Sequence, residues 1–221
     1  MSAPEIRELA RTELTLAAEL LSRGMRDNPV HISALGADAE HRCAALASMF
    51  EPLLRQYLGK GFVLGAFDGG ALTGVCAMVR PGRCRGSAVE KLRLFRGLIR
   101  GAGLTGSLRV IEWVNAWESQ DPAVPHWHLG PVAVDTHLQG RGIGTAMLTE
   151  FCRRVDLEGI AAYLETDKSE NVSFYLKFGF ETTGGATILG VPNWFMLRAI
   201  RAEGTLDGER RAADEKDTLA A

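Results

Sequence analysis

"HWHLGPVAVDTHLQGRGIGTAML", residues 126–148, runs from an almost uncharged stretch into a turn with glycine at alternate positions, Gly140, Gly142 and Gly144. Apolar residues fall on both parities of the second half of "HWHLGPVAV", which predicts a central strand covered on both faces. Beyond the turn, Ile143, Met147, Phe151 and Val155 form one stripe and predict a helix from Gly142 to about Leu157. A glycine turn between a strand and a helix aims backbone N–H groups at one point, at the positive end of the helix. That is an anion site made of main chain, and glycine leaves no Cβ to bar a phosphate. The same pattern also fits a tight connection without a ligand. Two familiar phosphate motifs are excluded. A P-loop carries Lys and then Ser or Thr after its last glycine, where this chain has Ile143-Gly144-Thr145. A dinucleotide fingerprint requires GxGxxG, and the spacing is GxGxG.

Working outward toward the C-terminus, "AAYLET" (161–166) reads as a buried strand and "ENVSFYLKF" (170–178) as a helix ended by Gly179. "FETTGGATIL" and "NWFMLRAI" read as a last hairpin, and the chain after Arg201 as a polar, frayed tail over 202–221. Toward the N-terminus, "LRVIEWVNAW" (108–117) reads as a strand and "ESQDPAVP" as a polar loop. Residues 83–110 form a basic insert whose Val89, Leu92, Phe95 and Ile99 fall at helical spacing. From Arg80 to Arg109 there are eight basic residues and one acidic. Either one face of this helix enters the core with arginines in water, or the insert meets an acidic ligand or surface. "FVLGAF" and "ALTGVCAMV" read as a hairpin turned by Asp68-Gly69-Gly70. Before it, a strand at Ile6–Leu9 leads to a helix with Thr12 as N-cap and Leu14, Leu16, Ala17, Leu20 and Leu21 as its apolar face. That helix stops near Gly24, "RDNPV" is a turn, and a second helix runs from Asp38 toward Tyr57, kinked or split at Pro52.

With 221 residues the chain suits one large domain, taken as 1–201. A net charge of -2 argues against wholesale attraction to nucleic acid or membrane. No apolar run approaches the ~20 residues that span a bilayer. "MSAPEIRELARTEL" lacks a basic region followed by an apolar core, so no signal peptide is expected. Cys43, Cys76, Cys84 and Cys152 show no metal-ligand or CxxC spacing and are read as reduced thiols of a cytoplasmic protein.

"QGRGIG" fits the pattern Gln/Arg-x-x-Gly-x-Gly/Ala, and "LETDKSENVSFYLKFGF" follows it at about thirty residues. With these two segments the chain resembles the GNAT superfamily of N-acetyltransferases, strongly from about His126 to Phe180 and more weakly from Ile6 to Val79. The resemblance implies an α/β fold with a mixed, mostly antiparallel sheet, splayed at the coenzyme A site, and helices on both faces. It implies acetyl-coenzyme A as cofactor. The turn residues Gln139, Gly140, Arg141, Gly142, Ile143, Gly144 and Thr145 would hold its pyrophosphate. Val132, Ala133 and Val134 would flank the pantetheine arm, and Asn171 and Tyr175 would line the thiol end.

The reaction implied is direct attack of an amine on the thioester. The Val132 N–H would stabilise the oxyanion, and holding the reactants side by side would supply much of the rate. Tyr175 would protonate the leaving thiolate. An alkyl ammonium has a pKa of ~10.4 and must lose a proton. Family members often carry a carboxylate about eleven residues before the Gln of the motif. His128 stands there and is the first candidate base, with Glu112 and Glu165 as the others. His126 shares its strand face with His128. Glu112, Trp113, His126 and Glu165 are candidates for binding the acceptor, with Trp113, Trp117 and Trp127 as an aromatic wall or as plain core. The acceptor is read as a small-molecule amine. A protein or peptide amine and a non-catalytic acyl-coenzyme A sensor remain alternatives, and a homodimer stays open. A nucleic-acid role for the insert ranks last, since no nucleic-acid-binding motif accompanies it.

Overall fold

A computed structural model describes residues 4–200. The predicted tail, 202–221, lies outside the described residues. Among the described residues, seven strands form one sheet: β1 (Glu5–Glu8), β2 (Gly61–Asp68), β3 (Ala71–Val79), β4 (His126–Val134), β5 (Ala161–Thr166), β6 (Glu181–Ile188) and β7 (Val191–Arg198). Their order is β1-β2-β3-β4-β5-β7-β6, and every neighbouring pair is antiparallel except β4 and β5. The six helices are α1 (Leu14–Met25), α2 (Pro29–Leu35), α3 (Ala39–Lys60), α4 (Ala88–Glu118), α5 (Ile143–Glu158) and α6 (Ser169–Leu176). Two apolar layers flank the sheet. One gathers α1 to α4, with Leu21, Leu46, Leu54 and Trp113. The other gathers α5 and α6, with Met147, Phe151 and Phe180. This is the α/β architecture expected, with helices on both faces.

Local chemistry explains most elements. The β2–β3 turn holds Gly69 and Gly70 at φ 55° and 82°, a left-handed conformation that glycine adopts without strain. Asp38 caps α3 by accepting from the Glu40 and His41 N–H groups. Ser87 and Glu90 form a capping box on α4. The α5 stripe is buried as expected: Ile143, Met147, Phe151 and Val155 are at most 6% exposed.

Five expectations fail here. Thr12 is not an N-cap; it lies inside a short 3-10 turn, Arg11–Glu13, closed by the Glu13 carboxylate on the Ala10 N–H. "RDNPV" is only half a turn, because Pro29 opens α2. The carboxylate of distant Asp167 accepts from the Val30 N–H at 2.7 Å, so the missing cap comes from across the fold. Of the kink or split expected at Pro52, the split does not occur: α3 is one helix with Pro52 inside it. The strand expected at 108–117 is the second half of α4, which runs on past a break at Gly103 (φ 64°). Its β-branched and aromatic residues favour a strand in isolation. Yet Val110, Trp113 and Trp117 follow the helical period, and packing on α2 and α3 decides the outcome. Lastly, Val89, Leu92 and Ile99 are 58%, 50% and 40% exposed while Phe95 is half-buried at the cavity, so the insert packs on α3 mainly through another face. Gly97 and Gly101 lie over Ser48 of α3 on that face, with Leu98 buried beside them.

Candidate active site

The sheet opens in the middle. β4 and β5 pair only through His126↔Ala161, Trp127↔Ala162 and His128↔Tyr163, and beyond them β5 continues alone beside β7. On its other side, β4 bulges against β3: Cys76 faces Val132 and Met78 faces Leu129, so Gly130 and Pro131 together oppose Ala77. A Cβ at Gly130 would overlap the Tyr57 ring, so this glycine lets α3 approach the bulge. Past the bulge, the Asp135 N–H donates to the Thr73 carbonyl. With Gly74↔Val134 and Cys76↔Val132 as the register, Val132 and Val134 then occupy non-hydrogen-bonded pairs with β3. Their N–H and C=O groups point away from β3, into the opening. Gln139 Nε2 donates to the Val134 carbonyl from that side at 3.3 Å. Ala133 has the opposite parity: its Cβ meets α1, where a Cβ added at Gly24 would come within 2.8 Å.

The glycine turn follows. Gly140 and Gly142 have φ 77° and 81°, and a Cβ at either would stand in open space. Glycine here answers first to the left-handed backbone. Gly142 is the N-cap residue of α5, without a side-chain cap, so the first N–H groups of a 16-residue helix lack a side-chain acceptor at that end.

A single cavity of about 1160 Å³ joins this turn to α4. Val132, Val134, Gln139, Gly142, Asn171 and Tyr175 line one end of it, and Ala133, Gly140, Ile143, Gly144 and Thr145 complete that wall. Tyr175 stands beside buried Cys76, the register partner of Val132. Burial raises its phenol well above the ordinary value, so it stays protonated. Asn171 Nδ2 donates to Thr166 Oγ1 at 3.2 Å.

The other end lies under α3 and α4. His128 Nε2 is 3.0 Å from Glu165 Oε2, and His128 Nδ1 is 3.7 Å from Asp121 Oδ1. Burial opposes charging of the imidazole, but the Glu165 carboxylate and Cys84 outweigh it and raise His128 well above its usual value. Burial raises the Asp121 carboxyl. It likewise raises the Cys84 thiol, but His126 and His128 outweigh it and bring Cys84 down to about 7. Tyr57 borders the same pocket, its phenol pushed up to about 12 by burial. Trp113 and Trp117 line the apolar wall, with ring centroids 5.0 Å apart.

Not every residue named from the sequence reaches the cavity. Glu112 is exposed on the outer face of α4, because a helical period replaces the strand period that placed it near the cleft. Arg141 is exposed and outside the lining. Trp127 is 1% exposed, stacks on Phe62 in the α5 layer, and forms no part of the wall. His126 does share a face with His128, ring centroids 6.1 Å apart, but lies outside the lining and faces Cys84. Tyr57, Cys84 and Asp121 were missed. Tyr57 and Cys84 come from elements remote from the motif, Asp121 from the loop just before β4, and no local pattern marks any of them.

A model of the acetyltransferase (GNAT) family matches residues 38–180. Among solved structures, one described as histone acetyltransferase HPA2 and related acetyltransferase from Corynebacterium glutamicum superposes at TM-score 0.71 with 20% identity, covering 91% of this chain and 98% of its own. The polyamine N-acetyltransferase of Drosophila melanogaster, which forms N-acetylagmatine, superposes at 0.65 with 14% identity, covering 89% and 100%. The PaiA N-acetyltransferase of Thermoplasma acidophilum, solved with coenzyme A, superposes at 0.55 with 16% identity, covering 90% and 99%. At these identities the likeness is one of fold. No described helix is long and apolar enough to cross a membrane.

Proposed function

The chain belongs to the acetyltransferase (GNAT) family, and from that premise we propose that it moves acetyl from acetyl-coenzyme A to the primary amine of a small molecule. The observation that carries this reading is the opened sheet: one cavity joins the unpaired edge of β4 and the glycine turn to the His128–Glu165 pair. Acetyl-coenzyme A supplies the activated thioester. Main-chain N–H groups at the start of α5 bind its phosphates. The Val132 and Val134 backbone groups pair with its amide arm as a strand would, and the Val132 N–H donates to the thioester oxygen as charge develops there. Tyr175, kept protonated by burial, gives its proton to the departing sulfur.

The amine end works by charge exchange. Without acceptor, His128 holds a proton against Glu165. An ammonium entering beside Glu165 and Asp121 replaces that positive charge, and His128 releases its proton. The neutral imidazole then takes a proton from the amine, directly or through water. Trp113, Trp117 and the α4 roof close over this end, which suits a compact acceptor better than an extended peptide.

The test is turnover on a panel of small primary amines, with acetylated product read by mass. Wild type should acetylate at least one amine, and His128→Gln should lose most of that rate while still binding acetyl-coenzyme A. Transfer to peptides alone would overturn the small-molecule acceptor. Equal rates in wild type and variant would remove His128 from the mechanism.

A further inference from the structure

Three donors converge at the amine end. Cys84 Sγ, from the loop between β3 and α4, lies 3.7 Å from His126 Nε2. A His128 ring nitrogen joins them, and the ligand atoms of all three residues lie within 4.8 Å of one another. His126 and His128 are two apart on β4, so their rings share a face. Bonds of about 2.3 Å to sulfur and about 2.0–2.1 Å to nitrogen at a tetrahedral angle set S and N about 3.5 Å apart. The observed spacing is close to that.

Two further observations point to a ligand. His126 Nδ1 is 2.8 Å from the Val124 carbonyl. Only an N–H can meet a carbonyl, so Nδ1 carries the proton and Nε2 is free to coordinate, with its ring already oriented. In addition, His128 Nδ1 and Asp121 Oδ1 are buried with no hydrogen-bond partner among the described residues, 3.7 Å apart. Such orphans are rare in a folded chain, and a cation between them would serve both.

We propose that Cys84, His126 and His128 bind a thiophilic divalent cation such as Zn²⁺, with Asp121, on the Nδ1 side of His128, as a carboxylate for a fourth position, and that the ion stops acetyl transfer by occupying His128. The donor set selects the metal class. Thiolate and imidazole suit Zn²⁺ and Co²⁺, whereas Ca²⁺ and Mg²⁺ require oxygen. The inhibitory half rests on His128 as proton acceptor; the binding half does not.

The experiment uses the full chain, reduced and freed of metal with a chelator, titrated with Co²⁺. One equivalent should bring up a thiolate-to-cobalt charge-transfer band with tetrahedral ligand-field bands, and Zn²⁺ should displace both. Cys84→Ser should lose the charge-transfer band. It and His126→Asn should bind more weakly by more than the roughly 10- to 100-fold that loss of an outer-shell partner costs. One equivalent of Zn²⁺ should stop wild-type turnover, followed by product mass, and spare the residual turnover of Cys84→Ser. No charge-transfer band in the wild type, or equal affinity in Cys84→Ser, would overturn the site. Full turnover with the ion bound would overturn its inhibitory role. A chain inactive on every amine would instead count against the acetyltransferase reading, while the cobalt spectrum would still decide the site.

Discussion

Glu165 determines how His128 behaves. At 3.0 Å its carboxylate holds the imidazole charged and oriented. Glu165→Gln keeps a hydrogen-bonding group there and removes the charge. On the account above, kcat falls by roughly 10²-fold, the lower range of general acid–base effects, while the affinity for acetyl-coenzyme A holds. Tyr175→Phe should lower kcat by a similar factor of about 10² with little change in thermal midpoint, because the ring still fills its buried place. Steady-state kinetics beside a melting curve check both, and an unchanged kcat in either variant would remove that residue from the chemistry. His128, Glu165, Tyr175 and the glycines were readable because each lies within or shortly after the motif. Asp121, Tyr57 and Cys84 were not. A loop, the end of α3 and the β3–α4 connection deliver them, and only the tertiary fold sets those three side by side.

At the scale of elements, α4 roofs the amine end and is held to α3 through glycine. A Cβ at Gly101 would overlap Ser48 Oγ and come within 3.0 Å of the Ala45 Cα. Gly101→Val should therefore push the helices apart and cost about 1–3 kcal/mol, as overpacking does, read by denaturant unfolding. Gly86→Ala, where the nearest atom is at 3.5 Å, serves as the control without a clash. The start of α4 carries a pH dependence. Glu90 is held at about 2 by its hydrogen bond to Lys60 and by the Ser87 N–H. Its folded value is depressed, so the stability it adds is full above the ordinary carboxylate value and is lost as pH falls from ~4.3 to about 2. Glu90→Gln should flatten part of that slope in melts across the range. It leaves the shares of Glu13 and Glu150, also held at about 2. An identical slope in the variant would mean the Lys60 contact contributes nothing. This helix was the least legible element. "LRVIEWVNAW" has strand composition, and the helical phase of Val110, Trp113 and Trp117 was the signal against it. Likewise the Asn28-Pro29 helix start was hidden, because its cap, Asp167, lies just past the end of β5, far along the chain.

For the whole molecule, the opening in the sheet is what makes a cavity of this size possible. β4 leaves β5 after His128, and among the described residues the gap stays open, with the Gln139 side chain on the Val134 carbonyl at the edge of β4. The strand–turn–helix run from 126 and a buried strand at 161–166 were readable in the sequence, but the parallel pairing of the two strands was not. The insertion of β7 between β5 and β6 was not, since composition says nothing of strand order. The proposed function requires this opening to hold acetyl-coenzyme A with its phosphates on the glycine turn. The most direct measurement is thermal unfolding with and without excess acetyl-coenzyme A, for wild type and for Gly142→Asp. The new side chain has open space and a backbone conformation that Asp tolerates better than most residues, so the variant should fold. It would set a carboxylate where a phosphate is to bind. At a hundred times the dissociation constant, the ligand should stabilise the wild type by about 2.7 kcal/mol and the variant by little or nothing. No shift in the wild type, or the same shift in both, would contradict the account.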